Sequence, residues 1–311
     1  MESAKKEETP VKSWLKLLLK VSLTSAALYL VSLKISWQQI WQIVQTVHFG
    51  WMFGAFVLFN ASKIVSALRL QYYWDAIGLR LSSTYNLKLY YTGMFYNLLL
   101  PGGIGGDGYK VWLLGKDQSI SYKKLISATI LDRISGLFPL QLLLCLLLIK
   151  MGFIDSWYLL LLVVGQIAFY LGGQTLVQFF FKDFTKVYHI TNLLGMLVQI
   201  LQVTCALFIV QALDIHSYYV EYVFLFLLSS IMAVLPITIA GIGAREVVGM
   251  LGSQYLPVDS EKMISLTLLF FAITTISSLT GIFLKTGFPI QTMKNNPLHN
   301  TVSIEQIISD K

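Results

Sequence analysis

The feature that most constrains this chain is a series of apolar blocks, each long enough for an α-helix to cross a bilayer. They lie at about 14–33, 50–70, 84–114, 125–149, 157–180, 192–212, 221–252 and 262–285. Roughly 20 helical residues span the ~30 Å hydrocarbon core of a membrane. Of 311 residues, 56% are hydrophobic and 13% charged, against about a quarter charged in soluble domains. Too little polar surface remains to dissolve these blocks in water, so the expected fold is all-α, a polytopic membrane protein.

Two blocks are not ordinary spans. Pro101, Gly102, Gly103, Gly105 and Gly106 interrupt the third, and Pro236, Gly241 and Gly243 the seventh. Proline removes a backbone donor and glycine admits positive φ, so each cluster should unwind its helix. Unwound backbone at membrane depth survives only inside protein or against a wet cavity. Each block therefore reads as a re-entrant hairpin that marks an interior site. The order span, span, broken hairpin, span then occurs twice, with block starts offset by about 137–143 residues and Pro101 matched to Pro236. Three crossings per half invert the second relative to the first, the plan of many secondary transporters. The expectation is about six full spans plus two re-entrant broken-helix hairpins in an inverted repeat. A cytoplasmic tail at 1–13, a first membrane repeat at 14–149, a second at 150–288 and a cytoplasmic tail at 289–311 complete it.

The net charge is +7, but the basic residues form short stretches between apolar blocks. That pattern excludes a nucleic-acid-binding module and follows the positive-inside rule. With both termini cytoplasmic, the inner side collects the N-terminal lysines, Arg69, Arg80, Lys88, Lys110, Lys116, Lys123, Lys124, Lys182, Lys186 and Lys285. The outer side receives Lys34, Lys150 and Lys262, and Lys63, Arg133 and Arg245 are left within the membrane. The apolar run near the N-terminus is too long for a signal-peptide core and reads as a retained span. Ser36–Phe49, rich in Trp and Gln, reads as an amphipathic helix at the interface. Cys145 and Cys205 lack any CxxC spacing, and the four histidines are scattered. The cysteines read as packing residues, and neither a metal nor a cofactor is expected.

Three constellations carry the chemistry. In Asn97–Lys110, a glycine-rich turn opens a helix whose free N–H groups and positive end suit an anion. The alternative is a re-entrant loop that needs glycine for close packing, while Asp107, a carboxylate near membrane depth, favours a working site. In Leu235–Glu246, Arg245 reads either as a phosphate ligand or as one half of an ion-pair lock with Asp107 or Asp132. Glu246 would pair with Arg133 or Lys63. In Thr129–Gly136, Asp132 and Arg133 read as a structural pair or as substrate contacts, and Lys63, alone near the middle of its block, as a headgroup contact. The aromatics Tyr90, Tyr91, Phe95 and Tyr96 read as packing or an interfacial belt. No histidine sits with paired serine and acid, so covalent catalysis has no support.

The motifs NLLLPGGIGGDGYK, ATILDRISG and LPITIAGIGARE, in that order, resemble the lysylphosphatidylglycerol synthase transmembrane region, or flippase-like domain family. This is the transmembrane half of the multiple peptide resistance factor. The resemblance implies lipid translocation in a prokaryotic plasma membrane, without the synthase domain, and hence no enzyme activity. It places the family's PGGxGGD on Pro101, Gly102, Gly103, Gly105, Gly106 and Asp107, its DR on Asp132 and Arg133, and its GxGxRE on Gly241, Gly243, Arg245 and Glu246. Where the family often carries arginine three residues after the aspartate, this chain has Lys110. The expected substrate is an anionic or aminoacylated phospholipid or a polyprenyl-phosphate lipid. A homodimer and a lipid-synthesising enzyme are the protein partners to test. The alternative function is a non-transporting accessory subunit of a glycolipid or polyprenyl-phosphate pathway.

Overall fold

A computed structural model describes residues 29, 37–99, 105–116, 120–153, 156–234 and 243–284, which are helical apart from short connections. The helices are α1 (Trp37–Gln45), α2 (Phe49–Ala76), α3 (Ser83–Leu99), α4 (Gly105–Gly115), α5 (Tyr122–Ile134), α6 (Leu137–Lys150), α7 (Ser156–Phe180), α8 (Tyr188–Ala212), α9 (Tyr219–Val234), α10 (Ala244–Gly252) and α11 (Ser260–Leu279). Short 3-10 turns precede α8 and follow α11.

Five helical stretches are long and apolar enough to cross a membrane: Phe49–Ala76, Tyr122–Lys150, Tyr158–Phe180, Lys182–Ala212 and Ser260–Ile282. They coincide with five of the six expected spans; the sixth, 14–33, lies outside the described residues except for Tyr29. The protein is an all-α polytopic membrane protein. The span Tyr122–Lys150 is not one straight rod, because α5 gives way to α6 over Ser135–Gly136.

Both broken blocks form hairpins, α3 against α4 and α9 against α10. With 11 and 9 residues, α4 and α10 rise only about 13–17 Å, half of what a crossing needs. The contacts at their bases show where each hairpin enters. The Trp74 indole near the end of α2 donates to Asn86 at the start of α3 (3.2 Å). Lys124 at the start of α5 pairs with Asp183 in the turn between α7 and α8 (2.8 Å). A Cβ on Gly115, the last residue of α4, would run into the Tyr122 ring. The base of α3/α4 therefore lies at one lysine-rich end of the bundle. At the other end, the Asp259 N–H donates to the Tyr222 hydroxyl (3.0 Å), Ser253 meets Ser260 (3.0 Å), and Lys262 reaches the Asp214 carbonyl (3.2 Å). The base of α9/α10 is there, so the hairpins enter from opposite ends.

The core is likewise double. One cluster at the second end packs Phe59, Leu140, Ile209, Phe226 and Phe270. The other, at the lysine-rich end, packs Leu70, Trp74, Leu89, Leu125 and Phe184. Helix α2 contributes Phe59 to the first and Leu70 to the second, and the stretch between them holds Lys63 and Arg69. Glycines allow the close approaches: a Cβ on Gly106 would overlap the Gly93 carbonyl where α4 crosses α3, as small residues permit at helix contacts in membranes. The amphipathic segment is α1, with Ile40 buried against Met250 and Ile264 and Trp41 outward at 64% exposure.

Candidate functional site

A polar layer lies between the two apolar cores. Lys63 is near the middle of the 28-residue α2. Asp107 and Arg245 stand at the starts of α4 and α10, the inner tips of the hairpins, and Asp132 and Arg133 at the inner end of α5. A 3.6-residue stripe on α2 supplies much of the wall: Ser62, Ser66, Arg69 and Tyr73 are all buried.

Two networks of charge occupy this layer. In the first, Arg69 Nε donates to Asp132 Oδ1 at 2.8 Å, with side-chain exposures of 8% and 10%. Asp107 receives Lys110 Nζ on Oδ1 at 3.1 Å and Arg133 Nε on Oδ2. Lys110 also lies 4.7 Å from the Tyr90 ring centroid. Gly195 on α8 makes room for this network, since a Cβ there would come within 2.8 Å of the Ser135 carbonyl and 3.4 Å of the Arg69 guanidinium.

The pairing differs from the sequence expectation in three ways. Asp132 and Arg133, adjacent in sequence, do not serve each other; about 100° apart on the helix, they reach Arg69 and Asp107 respectively. Arg69 and Lys110, expected among the inner loop charges, are instead buried, at 7% and 4% exposure. The anticipated locks of Arg245 to Asp107 or Asp132, and of Glu246 to Arg133 or Lys63, are not formed. The nearer cations on α2, α4 and α5 already hold the two aspartates.

The second network surrounds Arg245. Its Nη1 donates to Ser230 (3.2 Å), and its guanidinium lies 5.2 Å from the Phe270 ring and 6.0 Å from Phe226. Lys63 lies 4.6 Å from the Phe59 ring and within electrostatic reach of Arg245. Among the described residues neither cation has a carboxylate within salt-bridge distance. The Glu246 carboxylate turns away, accepting from the Gly243 N–H (2.7 Å) and the Thr267 hydroxyl (3.3 Å). Gly243 has φ +82, a conformation that glycine adopts readily and that this helix start requires.

The two hairpin tips share a device. At α4 the Gly106 N–H donates to the Asn97 side-chain oxygen (2.8 Å), and at α10 Glu246 takes the equivalent Gly243 donor. Asn97 and Glu246 thus sit as caps on the second arm of each hairpin, answering donors that a helix start leaves open. Gly105 opens α4; Pro101, Gly102, Gly103, Pro236 and Gly241 lie outside the described residues.

The sequence placed Arg69 among the inner loop charges and Tyr91 in packing or an interfacial belt, and it gave Asn60 no role. Asn60 donates to Ser277 (3.0 Å) and accepts from the Tyr91 hydroxyl (2.8 Å), joining α2, α3 and α11 beside Lys63. The signal for Arg69 was the polar stripe on α2, since a polar face along an otherwise apolar span points inward.

A balance of charge follows. Among the described residues the layer holds five cations (Lys63, Arg69, Lys110, Arg133, Arg245) against three carboxylates (Asp107, Asp132, Glu246). The surplus of two positive charges sits at mid-depth, where only an anion or water can compensate it. The family model described as lysylphosphatidylglycerol synthase TM region matches residues 17–281. No curated protein matches the chain.

Proposed function

The chain belongs to the lysylphosphatidylglycerol synthase transmembrane-region family, and from this membership we propose that it moves a phosphate-bearing lipid between the leaflets of a bilayer. A membrane role linked to lipids follows from the family. Transport is our reading, and the observation that supports it best is the pair of cations without carboxylate partners, Lys63 and Arg245, on opposite halves of the repeat. A phosphate passing between the hairpin tips would neutralise both. Arg245, with a planar fork of donors, would grip its oxygens, and Lys63 would act as a point charge.

The commitments of the carboxylates narrow the substrate. Asp107 and Asp132 are held by Lys110, Arg133 and Arg69, and Glu246 caps α10. A cationic aminoacyl headgroup would find no carboxylate to spare, so simple anionic phospholipids and polyprenyl phosphates fit better. On this reading the protein is a transporter without covalent chemistry, set in a plasma membrane with its lysine-rich end inward.

The test is a leaflet assay in proteoliposomes with labelled lipids. Transfer of an anionic phospholipid should exceed that in protein-free vesicles and fall in Lys63→Met and Arg245→Met, while the folded fraction is unchanged. Transfer no faster than in empty vesicles for anionic, aminoacylated and polyprenyl-phosphate lipids alike would refute it. Such a result, joined by co-purification of a lipid-synthesising enzyme, would favour the accessory role.

A further inference from the structure

Away from the charged layer, a cavity of about 520 Å³ lies between α7, the α5–α6 break and the start of α8. That volume is within the ~300–1,000 Å³ range of small-molecule sites. Its wall is formed by Leu131, Phe138, Phe169, Leu176 and Phe184. It borders the turn that carries Lys182 and Lys186, so it belongs to the half of the membrane at the lysine-rich end.

Three observations define what fills it. The polar side chains on its lining are already engaged: the Tyr73 hydroxyl donates to Thr191 (3.0 Å), Ser135 to the Asp132 carbonyl (3.0 Å), Asn192 to the Tyr188 carbonyl (2.8 Å) and the Tyr188 hydroxyl to the Tyr170 carbonyl (2.8 Å). A water there would find too few free partners, since a buried water needs about two to four. The cavity also opens towards lipid. Helix α7 is the least embedded long helix, 11% buried against 28–56% for the others, and the rim residues Phe169 and Leu176 are 53% and 58% exposed. Finally, an unfilled apolar void forfeits dispersion contacts on every wall, and the surrounding solvent is hydrocarbon.

We infer that this cavity is a binding site for one acyl chain of a membrane phospholipid, which enters beside α7 and lies against the α5–α6 break. The chain would end next to Leu131, which adjoins Asp132 of the Arg69 ion pair, and Ser135, which donates to the Asp132 carbonyl. The site rests on membrane residence alone, so a negative leaflet assay leaves it standing.

Two glycines on α7 supply the test. A side chain built at Gly172, on the cavity lining, meets open space, and the same holds at Gly165, which is not on the lining. The full chain is reconstituted in nanodiscs of phosphatidylcholine bearing a photoreactive diazirine near the end of one acyl chain, irradiated, and mapped by peptide mass spectrometry. Labelling of Leu131 and Phe184 is expected, because both line the cavity and are otherwise buried, at 5% and 2% exposure. That labelling should be lost in Gly172→Phe and Gly172→Leu and kept in Gly165→Phe. Labels confined to outward residues of α7, such as Leu160 and Ile167, would overturn the inference. Labelling of Leu131 that survives both Gly172 variants would overturn it as well. The map on the unaltered protein decides the matter even where a variant fails to fold.

Discussion

Removing one partner of the Arg69–Asp132 pair is the sharpest test of how the interior is held. At 2.8 Å, the gross attraction at an effective dielectric of about 20 is about 6 kcal/mol. Much of it only offsets the desolvation of two ions. The net value of the intact pair is therefore small, while the cost of leaving one ion behind is large, about 3–5 kcal/mol. A lost neutral hydrogen bond in a membrane averages only ~0.6 kcal/mol, so the two explanations separate cleanly. Asp132→Asn and Arg69→Met should each destabilise by about 3 kcal/mol or more, and the double variant Arg69→Met/Asp132→Leu by less than either alone. The measurement is reversible unfolding in mixed detergent and denaturing micelles, followed by tryptophan fluorescence, for all four proteins. Losses of ~0.6 kcal/mol, or single effects that add within about 0.5 kcal/mol, would show that the pair is not an isolated buried unit and would refute the reasoning.

Asp107→Asn should destabilise at least as much as Asp132→Asn in the same assay, because it removes the carboxylate that both Lys110 and Arg133 bond; adding Lys110→Met should recover part of the loss. Gly106→Ala should sharply reduce the yield of folded protein, since its Cβ has no room against Gly93, whereas Gly108→Ala, facing open space, should be neutral by size-exclusion profile. Gly243→Ala, at φ +82, should cost about 1–3 kcal/mol of stability through backbone strain. Lys63→Met should leave stability unchanged or raise it, because it removes a half-buried cation that has no carboxylate partner among the described residues, and should lower the retention of anionic lipid measured by native mass spectrometry.

What the chain determined by itself was its solvent and the order of its helices. Both are local properties: the length of an apolar run sets whether it crosses hydrocarbon, and a Pro/Gly cluster sets where it stops. The five spans, the short arms α4 and α10, and the position of the charges near the hairpin tips all follow from residues close together in the chain. The partners of those charges do not. Asp132 stands beside Arg133 in sequence yet bonds Arg69, 63 residues away, and Asp107 takes Arg133 because α4 and α5 meet there. Arg69 and Lys110 look like loop charges until α5 and α8 close over the one and α3 over the other. The lipid-facing cavity beside α7 is equally invisible in sequence, because its walls come from five helices and a turn. Only the tertiary structure separates cations that carboxylates hold from those with no carboxylate partner among the described residues, because electrostatic pairing depends on distance and burial in space and not on separation along the chain.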